Sequence, residues 1–425
     1  MPKAKVALII LFFVFFALES SDAQEILSWQ DCIKEAAKNH PDLIAAEEIV
    51  KQSQASKDIT ASTLYPQVNS NLNASTARSA TDRAVGSISD SYTYGVSGTQ
   101  LIFDGLKTVD NVNAAKEDIK ASQQAYKFTS SEVRLRLRTA FINLFTAQEL
   151  IKVTDEIVRI RRENLELITL RYESGLEHKG ALLTAGADLA QANFQMAQAK
   201  RDIETAQWQL MKETGRKGFR PMSVKADFVV VDSAKKKPDF ETLAKNNPSL
   251  QQIIAQKNSA EFGLKSAYAE FFPTLSGQAG ANKKGTLWPP RGDQWNLGLV
   301  LSMPIFEGGL RLAQVSQAKA LLNQLQANER STKDGILLTL AQAWAALQDA
   351  IETVDVQYKS LIATEERAKI AEAQYSTGFI SYDNWTIIEG NLVSAKTAYL
   401  NAQSNAVLAE ASWIQAKGDV LEYAQ

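Results

Sequence analysis

From Val68 to Thr76 the chain alternates: Val68, Ser70, Leu72, Ala74 and Thr76 stand against Asn69, Asn71, Asn73 and Ser75. A period of two with one wet side predicts a strand. A second such run sets Tyr92, Tyr94, Val96 and Gly98 against Thr93, Gly95, Ser97 and Thr99. Two more follow much later. One carries Leu275, Gly277, Ala279 and Ala281. The other sets Trp295, Leu297, Leu299 and Leu301 against Asn296, Gly298, Val300 and Ser302. After each pair the period lengthens. Neither proline nor glycine occurs from Thr108 to Tyr172, and only Gly335 from Leu310 to Tyr375. A continuous helix over the first stretch would run on the order of 95 Å at 1.5 Å per residue. Leu337, Leu340, Trp344, Leu347, Ile351, Val354, Tyr358 and Leu361 step by threes and fours, a heptad seam that asks for a helical partner. The matching run, Leu137, Phe141, Leu144, Gln148, Ile151, Asp155 and Val158, is weaker. Alanine-rich return helices are expected at 180–213 and 382–418, and they permit close approach. Shorter helices are expected at 28–64, broken near Asn39-His40-Pro41, and at 240–271, broken at Pro248.

These elements come twice. Asn39-His40-Pro41 returns as Asn246-Asn247-Pro248 and Tyr65-Pro66 as Phe272-Pro273, at an offset of 207. Phe103-Asp104-Gly105 returns as Phe306-Glu307-Gly308, Tyr172 as Tyr375 and Gly215 as Gly418, at 203. The expected plan is an internal tandem duplication. The change of offset falls in the hairpin loops, 77–91 and 284–294, where insertions collect. The expected division is a leader at 1–23, a first repeat at 24–230, a linker at 231–239 around Lys235-Lys236-Lys237, and a second repeat at 240–425. A short strand is expected at 228–231.

Helices of this length do not fit inside a domain about 30 Å across. Four strands with one apolar side cannot close a barrel within one chain, and in a membrane their open edges would be unsatisfied. Three chains supply twelve strands, within the range of outer-membrane barrels. Tyr92, Tyr94, Trp288 and Trp295 lie near one end of the strands, where an aromatic girdle sits. The fold class expected is mainly α with a small β part: long helical barrel staves plus four transmembrane strands per chain, closed as a trimeric barrel.

Composition narrows the chemistry. A net charge of -2 excludes a basic field for nucleic acid. A mean hydropathy of -0.20 excludes a multi-helix membrane protein. Lys3 and Lys5 precede an apolar run, Val6 to Leu18, too short to span a bilayer, and Ser21-Asp22-Ala23 offers small residues for cleavage after Ala23. The rival reading of that segment is an N-terminal anchor. One cysteine, Cys32, allows no internal disulfide, and Trp29-Gln30-Asp31 before it makes no lipidation signal. With His40 and His178 the only histidines, no metal cluster, phosphate loop or nucleophile elbow is present, so no enzyme activity, cofactor or metal is expected.

Three paired motifs carry a resemblance over about residues 28–417. They are Asn39-His40-Pro41-Asp42-Leu43 with Asn247-Pro248-Ser249-Leu250, the exits Leu101–Gly105 and Met303–Gly309, and the turns Arg171-Tyr172-Glu173-Ser174-Gly175-Leu176 and Gln374-Tyr375-Ser376-Thr377-Gly378-Phe379. In these the chain resembles the TolC-like outer-membrane efflux protein family. The resemblance implies a homotrimeric exit duct of a tripartite efflux or type I secretion system, in the bacterial outer membrane with a large periplasmic helical part. Its implied partners are a periplasmic adaptor, an inner-membrane pump and outer-membrane lipid. Ser174, Gly175, Leu176, Thr377, Gly378 and Phe379 would then meet the adaptor, beside their plain role of reversing the chain. The family's gate aspartate, six residues past the glycine, is replaced by Ala181 and Asn384. Asp383, Asn384, Glu389 and Asp188 are the gate candidates, with helix capping the rival role for Asp383. The second repeat's helix pair is where the gate is expected. The rival to the whole reading is a secreted long-helix pore-former or coiled-coil scaffold, which leaves the strands unexplained.

Overall fold

The computed structural model describes residues 25–81, 84–230 and 236–421. The expected leader and part of the linker lie outside them. In chain order the elements are β1 (Glu25–Leu27), α1 (Trp29–Asn39), α2 (Pro41–Ser62), β2 (Gln67–Thr81), β3 (Ala84–Phe103), α3 (Lys107–Glu173) and α4 (Lys179–Thr214). Then come β4 (Met222–Val224), α5 (Phe240–Asn246), α6 (Pro248–Ala269), β5 (Thr274–Gly285), β6 (Gly292–Ser302), α7 (Leu310–Ser376) and α8 (Tyr382–Ala416). Both long helices have 67 residues. The chain divides into two units, one of residues 1–41, 131–238 and 342–425, the other of 42–130 and 239–341.

The second unit holds a four-stranded antiparallel sheet in the order β2-β3-β5-β6. The stretch 77–91, expected as a loop, is mostly strand: Ala77 pairs with Ser89 and Arg78 with Ile88. Its mixed, serine-containing composition shows no apolar alternation, but the ladder needs only backbone groups. The second connection shrinks likewise, to 286–291. Where β3 leaves the sheet, the Asp104 carboxylate accepts from the Thr108 amide at 2.8 Å and so starts α3. Lys107 pairs with Glu270 at 2.7 Å, and Arg311 donates to the Glu270 carbonyl.

The first unit contains elements that the sequence pattern did not disclose. β1 and β4 pair in parallel, Glu25 to Met222 through Leu27 to Val224. The strand expected at 228–231 is therefore earlier in the chain. Residues 225–230 carry no strand, and Val231 is outside the described residues. Phe228 is apolar for a different reason: its ring lies 4.8 Å from that of Phe145 on α3. Three residues are too few to show a period, yet Leu27, Met222 and Val224 are buried.

The second seam buries Leu340, Trp344 and Leu347 of α7 as expected, and this layer adds cover to the weaker one. Val133, Leu137, Ala140, Phe141, Ile142, Leu144 and Phe145 of α3 are all buried, whereas on α7 Tyr358 is 48% exposed. Trp29 of α1 packs edge-on to Phe141 at 5.6 Å. Gln148, which weakens the heptad, is an anchor. Its amide donates to the Val224 carbonyl and accepts from the Val224 N–H, both at 2.9 Å. Gln207 donates to the Met222 carbonyl at 2.6 Å. The alanines of α4 are buried at 181, 185, 192, 199 and 206, nearly one per heptad, which leaves room for a neighbouring backbone.

The end of α4 fixes α1 and β1 together. Gly215 ends the helix at φ +72, with Gly215 N–H bonded to the Lys212 carbonyl and Arg216 N–H to that of Met211, a Schellman motif. Arg216 then forks onto Glu35 at 2.6 Å and onto Glu25 at 2.6 and 2.9 Å. Glu213 is buried among His40 at 3.3 Å, Arg136 at 3.2 Å and Lys212 at 3.0 Å. Burial works against its charge, but His40, Lys212 and Arg136 outweigh it and hold the carboxyl at about 2. Its contribution to stability is thus present above the ordinary value of 4.5 and lost as pH falls toward 2. Cys32 of α1 is fully buried, within the influence of Glu35 and Arg216, and burial pushes its thiol up to about 12. That environment suits a packed side chain and not a modified one.

A side chain at position 215 would meet the Asn39 carbonyl oxygen at 2.4 Å, whereas one at Gly175 would meet nothing within 4 Å. Both glycines hold positive φ, which costs an ordinary residue about 1–2 kcal/mol. Urea unfolding in detergent is therefore expected to show G215A clearly more destabilised than G175A, by about 1–3 kcal/mol of added strain. Equal losses would contradict the close approach.

Candidate functional site

Two surfaces hold the residues singled out in the sequence, one in each unit. In the second unit the register decides which side chains share a face. Trp295 is opposite Ala281, which is opposite Val96, which is opposite Ser70. Leu297, Ala279, Gly98 and Val68 form the next row. The alternate rows read Asn296, Gly280, Ser97 and Asn69, then Gln294, Asn282, Gly95 and Asn71. Four separate alternations thus become one apolar face and one polar face. The apolar face is bare: Trp295 is 80% exposed, Leu297 79% and Leu299 71%. A patch of this kind needs a cover. No helix among the described residues is long and apolar enough to cross a membrane.

The aromatics gather at the turn end of β5 and β6. Trp288 stands edge-on to Tyr92 and Tyr94, with ring centroids 6.1 and 5.9 Å away. Trp295 is on the apolar face, without such a partner ring among the described residues. Because β2 and β3 run on beyond this point, the aromatics sit at the end of one hairpin and partway along the other, not at a common strand end.

In the first unit both expected turns are Schellman motifs. Leu176 N–H bonds to the Arg171 carbonyl and Phe379 N–H to that of Gln374, both at 2.8 Å, with Gly175 at φ +74 and Gly378 at φ +82. Leu176 is 68% exposed and Phe379 83%. Ser174 and Thr377 turn their hydroxyls back onto helix carbonyls, Leu170 at 2.8 Å and Ala373 at 2.9 Å. Each return helix is capped three residues past its glycine. His178 Nδ1 accepts from the Ala181 amide at 3.1 Å, and Ser381 Oγ from that of Asn384 at 3.4 Å. The capping role considered for Asp383 therefore belongs to Ser381, because a cap must stand before the first turn. Asp383 and Asn384 are exposed within that turn.

Behind the turns lies an aromatic cluster contributed by α7 and α8. Tyr375 and Trp385 stack with centroids 4.5 Å apart and planes 8° apart, and Tyr382 stands edge-on to both. The Arg171 guanidinium lies 4.7 Å from the Tyr375 ring centroid. The Tyr375 hydroxyl donates to Glu177 at 2.8 Å, so the second turn's helix is tied to the first turn. Burial, then the Glu177 carboxylate, raises this phenol well above the usual range, so it remains a donor. Tyr375 was visible within the turn motif as a helix end; its hydroxyl's partner was not.

Further along, Arg161 of α3 brings two of the expected gate residues together. It reaches Asp188 of α4 at 3.5 Å and Glu389 of α8 at 3.7 Å. Asn164 donates to Glu389 at 2.7 Å. Glu389 is buried, and burial first of all raises its pKa, against the pull of Asn164 and Arg161. Neither Arg161 nor Asn164 carried a periodic signal.

Comparison with known proteins follows the same outline. A family model described as outer membrane efflux protein matches residues 32–216 and 240–419. The chain is 22% identical over 398 residues to the outer membrane efflux protein BepC of Brucella suis, covering 91% of this chain and 81% of that one. It is 22% identical over 347 residues to the outer membrane protein TolC of Escherichia coli, covering 76% and 69%. Its fold matches the crystal structure of the CmeC outer membrane channel of Campylobacter jejuni with a TM-score of 0.81 at 20% identity, covering 95% of this chain and 90% of that one.

The raised pKa of Glu389 has a sign that can be read. From about 4.5 upward the unfolded chain gives up this proton first, so the folded cluster loses stability as pH rises through the higher folded value. Melting of wild type and E389Q at pH 4.5 and 7.5 should show the variant gaining relative to wild type at the higher pH. A difference that does not move with pH would contradict a buried, titrating Glu389.

Proposed function

This chain belongs to the outer membrane efflux protein family, and on that premise we propose that three copies close their sheets into a twelve-stranded barrel in the outer membrane. The chain is not an enzyme; its family moves solutes and does not convert them. The observation that carries the proposal is the sheet. Its apolar face is exposed along four strands, and β2 and β6 are its edges. In hydrocarbon an unpaired edge costs several kcal/mol for each unsatisfied group, about the strongest constraint a membrane imposes. Copies joined edge to edge remove every edge, turn the apolar face to lipid and turn the asparagine-rich face to a water-filled lumen. A secreted helical scaffold has no use for such a face.

The helices then form the wall of a periplasmic passage, fed by an inner-membrane pump through an adaptor in a tripartite efflux or type I secretion system. Conduction is passive, because the chain contributes a lining and the pump contributes the work. The exposed Leu176 and Phe379 are the adaptor's contact points, flanked by Ser174, Gly175, Thr377 and Gly378. The gate is the tie between the turns: Tyr375 to Glu177, braced by Arg171, with Arg161, Asp188 and Glu389 behind it. Asp383 and Asn384 supply polar groups at the entrance. Tyr92, Tyr94, Trp288 and Trp295 anchor the barrel at the lipid interface, and the leader is cut after Ala23.

Single-channel recording in planar bilayers tests this. The wild-type protein is expected to insert as a low-conductance channel. Y375F removes a charge-assisted hydrogen bond, worth about 1.5–3 kcal/mol, and should raise open probability by about tenfold or more; E177Q keeps an acceptor but loses the charge, and should raise it by less. Channels with unaltered opening in both variants would contradict the gate; no channel at all would contradict the duct.

A further inference from the structure

Where α1, α3 and α8 meet in the first unit, a cavity of about 300 Å³ is lined by Trp29, Arg134, Leu135, Arg138, Glu410 and Ile414, among others. Its charge is lopsided. Arg134 and Arg138 stand one helical turn apart on α3, so the two cations share a face and repel each other. Glu410 is the one carboxylate in the lining and acts on both arginines; Asp419, outside the lining, acts on Arg134 more strongly than Glu410 does. Burial disfavours the charge of each guanidinium. The Nε–H of Arg134 is buried without a hydrogen-bond acceptor. Arg138 lies over the Trp29 ring, 4.9 Å from its centroid. A stacked guanidinium spends its face on the ring and keeps its N–H edge for an anion.

Two other partly buried arginines of this unit are matched by carboxylates, while Arg171, whose Nε–H also lacks an acceptor, lies against the Tyr375 ring. Arg216 is held by Glu25 and Glu35, and Arg161 by Asp188 and Glu389. The pair at 134 and 138 has two planar donors, one shared carboxylate and an empty volume at the small end of ligand cavities. Trp29, Leu135 and Ile414 give that volume an apolar wall.

We propose that this cavity binds a small organic anion, one carboxylate or phosphate group on a compact apolar body. Arg134 and Arg138 take the oxyanion, while Trp29, Leu135 and Ile414 take the body. The site belongs to the folded chain and does not depend on the duct.

Calorimetric titration of the full chain in detergent, at fixed ionic strength, tests it with phenyl phosphate and inorganic phosphate as probes. Phenyl phosphate should bind saturably, with one site per chain, and more tightly than inorganic phosphate. The R134Q/R138Q variant should weaken it at least about tenfold. R134K, which keeps the charge and loses the fork, should fall between. E410Q, which removes the competing carboxylate, should bind more tightly and covers the case in which the double variant fails to fold. No saturable heat with either probe, or equal binding in a folded R134Q/R138Q, would overturn the site. Inorganic phosphate binding as tightly as phenyl phosphate would overturn the ligand class.

Discussion

A sheet with two open edges and a bare apolar face is not at rest in any single solvent. Water penalises the face, and hydrocarbon penalises the edges. The four strands β2, β3, β5 and β6 carry both features at once. The conflict has few resolutions, and closure by copies of the same chain meets both terms together. The polar face then follows without further design, since every second residue must point the other way. Asparagine, glutamine, serine, threonine and glycine fill most of those positions, with Val300 an exception.

The first unit solves a different problem. Very long helices bury little per residue against one partner, so they need bracing at intervals. Alanine on α4 allows close approach, and large apolar side chains on α3 fill the space beneath a small layer of α1, β1 and β4. Polar residues fasten that layer: Gln148 and Gln207 on the strand β4, Arg216 on Glu25 and Glu35. Near the turns the bracing is aromatic and comes from α7 and α8. At the sequence offset of 203, Tyr375, Tyr382 and Trp385 correspond to Tyr172, Lys179 and Leu182. The two turns share a backbone motif and differ in what lies behind it.

What the sequence disclosed, and what it did not, follows from range. The long helices were legible to within a residue or two, because absent breakers and heptad steps are local signals. So were Gly175 and Gly378, since positive φ at a helix end nearly demands glycine. The strands of the alternating runs were legible, but their extension through 77–91 was not, because backbone pairing there owes nothing to apolar side chains. β1 and β4 were too short for a period. Gln148 was misread as a flaw in a seam because its partner is 76 residues away. Arg161 and Asn164 were silent for the same reason: a charge on a helix looks solvated until the fold brings Asp188 and Glu389 to it.

The central claim is closure between copies, and mass measures it directly. Native mass spectrometry of the full-length gene product, released from outer membranes in mild detergent, should give three mature chains per particle. A folded particle of one chain would contradict the account.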